Sequence, residues 1–452
     1  MNIVKPSIIT LLSFPVLLTG CITTQSGGIT REVKAAVREA VDSGNRTGIV
    51  IGQIHRGKTS IFGYGTTAAE NGRIPDGDTV FALGSVTKIF TAETLAALTR
   101  NLIVTPATTL GEIWPRVLDG NPVTLGALAT HTAGLPRDLP LDLLASNREA
   151  LLLELVDQAM GNSTSQASQA APRAYSNVGM AVLGLALQTA SGLDQETLTG
   201  RYITSPLGMT RSSYTGVSDS NSAQPHRDGI ETTASRHATP SVAFGSGGLH
   251  STTRDLLIFL EAHLNPAGTP MESNIWITEE GWKGHPLGWQ VHGHGRGTIF
   301  YHSGDGDGYQ AFIGYRRDRK AAVVLLANSS ADDELQRIAL HILDPSVSLP
   351  SFADIHEPVL PDRALETYTG TYRLASEGPE GNLIFIENQR GRLVYKETTS
   401  TGSLVRLSPM IHQGKHRFLV VGLPLTILFP ESPEERASMQ FQDTDYPLVR
   451  VD

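Results

Sequence analysis

Ser85 is followed by Val86, Thr87 and Lys88 and preceded by Gly84. From Ser85 to Arg100 the sequence is rich in Ala, Leu and Thr and holds no Gly or Pro, which predicts a helix. Residues i and i+3 share a helix face, so Lys88 lies one turn beyond Ser85 and reaches its hydroxyl. Free N–H groups and the dipole at the helix start favour negative charge, including a forming oxyanion. A lysine on a largely apolar helix is partly desolvated, which favours the neutral, base-competent amine. The pair is therefore a candidate nucleophile and base. An N-cap serine followed by an exposed lysine would read the same way.

Two further trios carry polar chemistry. Tyr175-Ser176-Asn177 precedes an apolar helical stretch, Val178 to Thr189. A Tyr hydroxyl beside a lysine ammonium is expected to have a lowered pKa, to accept the Ser85 proton and to return it to a leaving group. Asn177 offers an amide to a substrate carbonyl or N–H; the alternative is a helix cap with Tyr175 as packing. His302-Ser303-Gly304 follows a predicted strand, Thr298 to Tyr301. Small residues there leave room for a substrate along a strand edge. The backbone N–H of Asp305 is then a second oxyanion donor beside that of Ser85. Gly304 to Gly308 alternates Gly with Asp305 and Asp307, so a hairpin turn fits the same residues.

The elements that position these groups are legible in outline. Glu32–Val41 has helical spacing. Gly48–Ile54 and Thr59–Tyr64 read as two strands joined by a turn at Arg56-Gly57. Helical patterns recur at 140–160 and Asp255–His263, and strands at Gly288–Val291, Gln310–Tyr315 and Ala321–Leu326. Gly161–Ala171 reads as a loop, and 215–242 as a long irregular segment. After a Pro- and Ser-containing connection the texture changes. Short strands at Leu383–Ile386, Arg392–Tyr395, Phe418–Val421 and Leu425–Phe429, separated by Gly, Asn and Pro turns, predict an all-β barrel or sandwich.

The order SxxK, YxN, HxG resembles the serine penicillin-recognising family, which includes class C β-lactamases, D-alanyl-D-alanine carboxypeptidases, D-aminopeptidases and family VIII esterases. His131-Thr132-Ala133-Gly134-Leu135-Pro136 is similar to its HTxGLP loop, and Gly247-Gly248-Leu249-His250-Ser251-Thr252 with Asp255-Leu256 to its GGLxSTxxDL segment. Pro206-Leu207-Gly208-Met209 also matches in place. The resemblance covers roughly residues 30 to 345. It implies an α/β (α+β) fold of β-lactamase/transpeptidase type, an antiparallel sheet flanked by helices plus a helical subdomain. It implies an acyl-enzyme on Ser85, proton work by Lys88 and Tyr175, an oxyanion hole from the N–H groups of Ser85 and Asp305, and substrate contacts at Asn177, His302, Ser303 and Gly304. Class C β-lactamases carry Lys where this chain has His302, and a neutral His gives no permanent charge for a substrate carboxylate. That difference points to carboxypeptidase, D-peptidase or esterase chemistry ahead of efficient β-lactam hydrolysis. A non-enzymatic envelope lipoprotein that binds wall peptides or β-lactams is the alternative. Leu365-Glu-Thr-Tyr-Thr-Gly-Thr-Tyr372 is similar to lipocalin-like domains attached to some relatives.

Composition bounds the partners. The 452 residues are 40% hydrophobic and 18% charged with a net charge of −9, and no Lys/Arg cluster invites nucleic acid. The single Cys, Cys21, excludes an intramolecular disulfide. Lys5 followed by an apolar run to Leu18 reads as a signal peptide. Leu18-Thr19-Gly20-Cys21 resembles the bacterial lipobox. That implies cleavage before Cys21, a diacylglycerol on its thiol and membrane anchoring; Ile22 in place of Asp implies outer-membrane sorting, facing the periplasm. The expected organisation is a signal peptide (1–21), a tether (22–30), the hydrolase domain (31–345), a linker (346–361) and the β-domain (362–452). No cofactor is expected and no metal: His292 and His294 alternate with Gly but lack a third ligand at zinc spacing.

Overall fold

A computed structural model describes residues 28–42, 46–68, 72–139, 149–161, 173–215, 221–227, 230–232, 239–306, 308–330, 334–352, 362–378, 380–388, 393–402, 404–412, 416–420, 425–430, 436–441 and 444–451. The leader and Cys21, the Gly161–Ala171 loop apart from Gly161, the start of the 140–160 helix and much of 215–242 lie outside them.

Alternation along three buried strands builds the first layer system. β1 (Gly48–His55) and β2 (Lys58–Gly65) form a hairpin whose turn residues, Arg56 and Gly57, both have positive φ. That is the pairing a two-residue turn needs to match strand twist. β3 (Gln290–His292), β4 (Ile299–Gly306), β5 (Tyr309–Arg316) and β6 (Ala321–Ala327) complete a six-stranded antiparallel sheet of order β2-β1-β6-β5-β4-β3. Ile49, Ile51, Val323 and Leu325 face one side, where α1 (Arg31–Asp42) and the helix Glu334–Leu343 cover them. Val50, Ile54, Val324 and Leu326 face the other, against α4 (Thr253–Leu264). Because both faces are covered, β6 is buried at every position and reads as an unbroken apolar run.

α2 (Thr87–Arg100) lies between this core and a second, helical one. Ile89 and Phe90 join the sheet-side core. Ala92, Leu95 and Leu98 join a cluster with α3 (Asn177–Ser191) and the helices Leu125–Ala129 and Glu149–Gly161. Every α2 residue from Thr87 to Leu98 is buried, so its polar side chains need internal partners. Thr91 donates to the Gly245 carbonyl at 2.8 Å. Glu93 Oε1 meets His263 Nε2 at 3.1 Å and accepts from Thr278 Oγ1 at 2.9 Å, which ties α2 to α4 and to α5 (Glu272–Glu280).

His302-Ser303-Gly304 lies within β4, and the reversal comes later, between Gly306 and Tyr309. The trio itself is strand, paired with Ile313, Phe312 and Ala311, and the hairpin turn that the Gly304–Gly308 composition suggests falls at the far end of that stretch.

The C-terminal strands, β7 (Gly370–Leu374), β8 (Leu383–Asn388), β9 (Leu393–Thr398), β10 (Leu404–His412), β11 (Arg417–Val420), β12 (Leu425–Leu428), β13 (Ser438–Phe441) and β14 (Thr444–Arg450), pair each with the next. β14 returns to β7 and closes an eight-stranded barrel. Its interior holds Tyr372, Ile386, Phe418, Val420 and Ile427.

Glu93→Ala leaves His263 buried without its carboxylate. The unfolding free energy is expected to fall by about 3–5 kcal/mol, measured as a lowered denaturant midpoint with an unchanged slope.

Candidate active site

Three chain segments converge on Ser85. The residue sits in a single 3-10 turn, Gly84–Val86, that runs directly into α2, rather than in the α-helix itself. Gly84 has φ 51°, which a side chain would strain. Strand β4 crosses this turn at backbone contact. A Cβ on Gly304 would stand 2.1 Å from the Leu83 oxygen and 3.0 Å from the Ser85 nitrogen. A Cβ on Gly84 would stand 3.3 Å from the Asp305 nitrogen. Gly304 is therefore required for the crossing, which sets the β4 backbone at Asp305 beside the Ser85 turn. Pairing of β4 with β3 ends at Tyr301, so the strand segment beside Ser85 has no β3 partner.

Lys88 Nζ lies 2.9 Å from Ser85 Oγ and donates to the Ser246 carbonyl at 2.8 Å. The side chain is wholly buried, and burial, helped by the charge of Arg137, lowers its pKa to about 7. Desolvation is thus complete rather than partial, and a neutral amine is available near neutral pH. The Ser246 carbonyl comes from Phe244-Gly245-Ser246-Gly247-Gly248, a stretch that carried no chemical signal in sequence. It can approach because Gly245 packs on Gly184 of α3; a Cβ on Gly245 would lie 2.2 Å from the Met180 oxygen.

Tyr175 Oη donates to Ser85 Oγ at 2.7 Å, and Lys88 Nζ stands 4.9 Å from the centre of its ring. The expected acidic shift of this phenol is corrected. Its pKa is raised, because burial outweighs the hydrogen bond to Ser85 and the charge of Arg137. Tyr175 is held by a clamp. Ser176 caps α3, its Oγ accepting from the Gly179 N–H at 2.8 Å and donating to the Pro136 carbonyl at 2.5 Å. The Ser176 N–H donates to His131 Nδ1 at 3.2 Å, and the His131 ring lies 4.7 Å from the Tyr175 ring. Burial drives the His131 pKa down to about 3, so its ring is neutral and accepts that bond. The 131–136 loop therefore orients the tyrosine. Ser176, not Asn177, is the cap; the half-buried Asn177 donates from Nδ2 to Asp138 at 3.3 Å.

His302 is placed differently from its expected substrate-contacting role. Its side chain is 1% exposed, its Nδ1 lies 2.6 Å from the Ser303 carbonyl, and its ring is 6.2 Å from that of Tyr175. Burial and the Lys88 charge push its pKa down to about 3. It is a neutral wall of the site, and the strand backbone around Ser303 and Gly304 is what faces Ser85. Two exposed cations escaped the motifs, Arg137 beside Tyr175 and Arg173 near Trp289. The Arg137 guanidinium lies 5.3 Å from the Tyr175 ring, and Arg173 donates to the Trp289 carbonyl at 3.3 Å. Their signal was positional: Arg137 directly follows Pro136, and Arg173 stands two residues before Tyr175.

The arrangement can activate a serine hydroxyl, protonate a leaving group and stabilise an oxyanion. Comparisons with known proteins bear on the family and the fold. Residues 33–344 match the family model described as Beta-lactamase. Over 231 residues the chain is 33% identical to the D-alanyl-D-alanine-carboxypeptidase/endopeptidase AmpH of Escherichia coli K12, a match spanning 48% of this chain and 58% of that relative. In fold it is similar to the beta-lactamase/D-alanine carboxypeptidase of Pseudomonas syringae, with TM-score 0.61 and 18% identity over 70% of this chain and 98% of that one. A class C beta-lactamase of Rhodobacter sphaeroides superposes with TM-score 0.60 at 20% identity, over 70% of this chain and 99% of that one.

The lowered pKa of Lys88 has a signed consequence. The amine gains a proton as pH falls through about 7 and ceases to be a base. The rate of Ser85 acylation by p-nitrophenyl acetate should rise with pH to a plateau, with its midpoint near that value. Lys88→Met should remove this step and slow acylation by about 10²–10⁴-fold, read from the nitrophenol burst.

Proposed function

The chain belongs to the beta-lactamase family of serine hydrolases, and from that premise we propose that it cleaves amides or esters through an acyl-enzyme on Ser85, with carboxylate-bearing D-peptides of the cell wall as the substrate class. The observation that carries this reading is the double contact on one oxygen, Lys88 Nζ at 2.9 Å and Tyr175 Oη at 2.7 Å from Ser85 Oγ.

The proton balance follows from those contacts. Neutral Lys88 takes the Ser85 proton as Oγ bonds to the substrate carbonyl carbon. The N–H groups of Ser85 and Asp305 receive the oxyanion. As the C–N or C–O bond breaks, the neutral phenol of Tyr175 gives its proton to the leaving atom, and the phenolate left behind faces the Lys88 ammonium. In deacylation water gives a proton to that phenolate, and the hydroxide adds to the acyl carbon. Ser85 then departs with the proton held on Lys88. The raised pKa of Tyr175 fits this order, since the group must start protonated.

The substrate class rests on charge. His302, buried and neutral, supplies no cation where class C β-lactamases carry lysine. Arg137, over the Tyr175 ring, and Arg173, bonded to the Trp289 carbonyl, are exposed and suit a terminal carboxylate. Asn177 and the β4 edge at Ser303 and Gly304 then hold the peptide backbone. Small esters fit the same machinery, and β-lactams are expected to acylate Ser85 and turn over weakly. Anchoring through a lipid on Cys21 at the outer membrane, facing the periplasm, completes the proposed setting. No helix among the described residues is long and apolar enough to cross a membrane.

Brief exposure to benzylpenicillin is expected to add the mass of the drug to the native chain and nothing to Ser85→Ala. Labelling of Ser85→Ala, or nothing on either chain with benzylpenicillin, D-amino amides and esters alike, would overturn the assignment. Replacing Arg137 and Arg173 together by Ala should raise KM for a D-Ala-terminated peptide about ten-fold. The same peptide with an amidated terminus should be unaffected.

A further inference from the structure

We propose that one end of the six-stranded sheet is a docking surface for an anionic lipid bilayer, which holds Ser85 on the side facing away from the membrane. Three turns meet at that end. Lys58, His55, Ala321 and Arg316 stand side by side on β2, β1, β6 and β5, and His292 of β3 pairs with Ile299 of β4. The turns beyond them, Arg56-Gly57, 317–320 and 293–298, therefore project the same way. Neighbouring turns touch. The Arg56 N–H donates to the Lys320 carbonyl at 2.9 Å, and a Cβ on Gly297 would stand 3.2 Å from Arg316 Nη2.

The charge at this end opposes that of the whole chain, whose net charge is −9. Arg316 is neutralised by Asp318 and Asp344, and Arg317 by Glu279. Glu32, at the start of α1, lies next to Arg31. Arg56, Lys58, Arg296, Arg319 and Lys320 are exposed and have no ion pair among the described residues. Burial and the charges of Arg56 and Arg319 lower the pKa of His55. Cations gathered from separate turns repel one another, and a surface of phosphates relieves that repulsion. Trp276 on α5 is 48% exposed, with the Arg317 guanidinium 4.8 Å from its ring. An exposed indole among cations suits the boundary between headgroups and acyl chains.

The path of the chain selects a bilayer among polyanions. Gly28, Thr30, His55 and Arg319 line one small cavity, so the chain enters the domain beside the basic turns. The stretch from Cys21 to Gly28 reaches at most about 25 Å when extended. A lipid on Cys21, as proposed above, therefore keeps this end close to the membrane. Ser85 lies at the other end of the sheet. Ile299 stands beside the basic turns and Asp305 beside Ser85, and β4 covers about 20 Å between them. The sheet is then a spacer that turns the site toward the cell wall.

This inference does not rest on the chemistry at Ser85, and its test leaves the lipid out. Every described residue follows position 27, so a chain starting at Ile22 keeps the whole described structure without an anchor. Its flotation is measured with vesicles of phosphatidylcholine alone and of phosphatidylcholine with an equal part of phosphatidylglycerol, at low and high salt. Binding is expected only with phosphatidylglycerol and is lost as salt rises. Lys58→Gln with Arg319→Gln should weaken it about thirty-fold. Arg116→Gln with Arg201→Gln removes the same charge from exposed positions outside these turns and should leave binding unchanged. Turnover at Ser85 in solution and the circular dichroism spectrum should be the same in both paired variants as in the parent chain. Absence of binding to phosphatidylglycerol, equal binding to phosphatidylcholine, the same loss in both paired variants, or preference for an oligonucleotide over the vesicles in competition would overturn the proposal.

Discussion

The site depends on a lysine kept out of water. An amine in solvent is protonated at neutral pH and useless as a base; Lys88 becomes one only because its surroundings withhold hydration. That requirement explains much of the larger domain. α2 must be buried along almost its whole length, so it needs a sheet on one side and a helical layer on the other. Its remaining polar side chains then need internal partners, which Gly245 supplies to Thr91 and His263 and Thr278 supply to one oxygen of Glu93. The glycine contact between Gly245 and Gly184 belongs to the same set of constraints, since it lets the Ser246 carbonyl approach the amine. Fold and reactivity are here one problem in solvation.

The remaining groups are arranged around that amine with little freedom. Tyr175 is fixed from behind by the 131–136 loop through Ser176 and His131. Ser85 is fixed from the side by β4, whose backbone touches the turn so closely that Gly304 admits no side chain. A buried neutral histidine on that strand keeps a second positive charge away from Lys88, which a lysine at position 302 would not.

The sequence carried the constellation because its logic is local. Ser85 and Lys88 share one helix face, Tyr175 precedes a cap, and His302-Ser303-Gly304 adjoins a strand; the structure brings all three to one oxygen or its neighbourhood. The hairpin at Arg56-Gly57, the buried run of β6 and the barrel strands were legible for similar reasons, being written in turn chemistry, an unbroken apolar run and short alternating segments. What escaped depended on contacts distant in sequence. The sign of the Tyr175 shift follows from how much wall surrounds the phenol, not from the lysine beside it. The burial of His302 follows from the Ser85 turn and Tyr175, which stand against β4. The Ser246 carbonyl is a backbone atom, and no residue type announces it. Arg137 and Arg173 are ordinary in composition, and Arg137 gains meaning only once it lies over the Tyr175 ring. The turn that Gly304–Gly308 suggests by composition falls only at its end, because the partner strand keeps β4 paired as far as Gly306.

The sheet order joins the earliest and latest segments of the larger domain, with Ile49 opposite Ala327 and His55 opposite Ala321. β1 therefore waits, with an unpaired edge, until nearly three hundred further residues have been made. Folding of this unit cannot proceed smoothly from its beginning, and any shortened chain ending before β6 exposes a long apolar strand prone to self-association. The same adjacency places the two ends of the unit side by side. The order of synthesis is thus separable from the architecture: a version opened elsewhere on the surface, with Arg31 and Leu343 joined by a short bridge, would rebuild the same sheet while pairing β1 and β6 early.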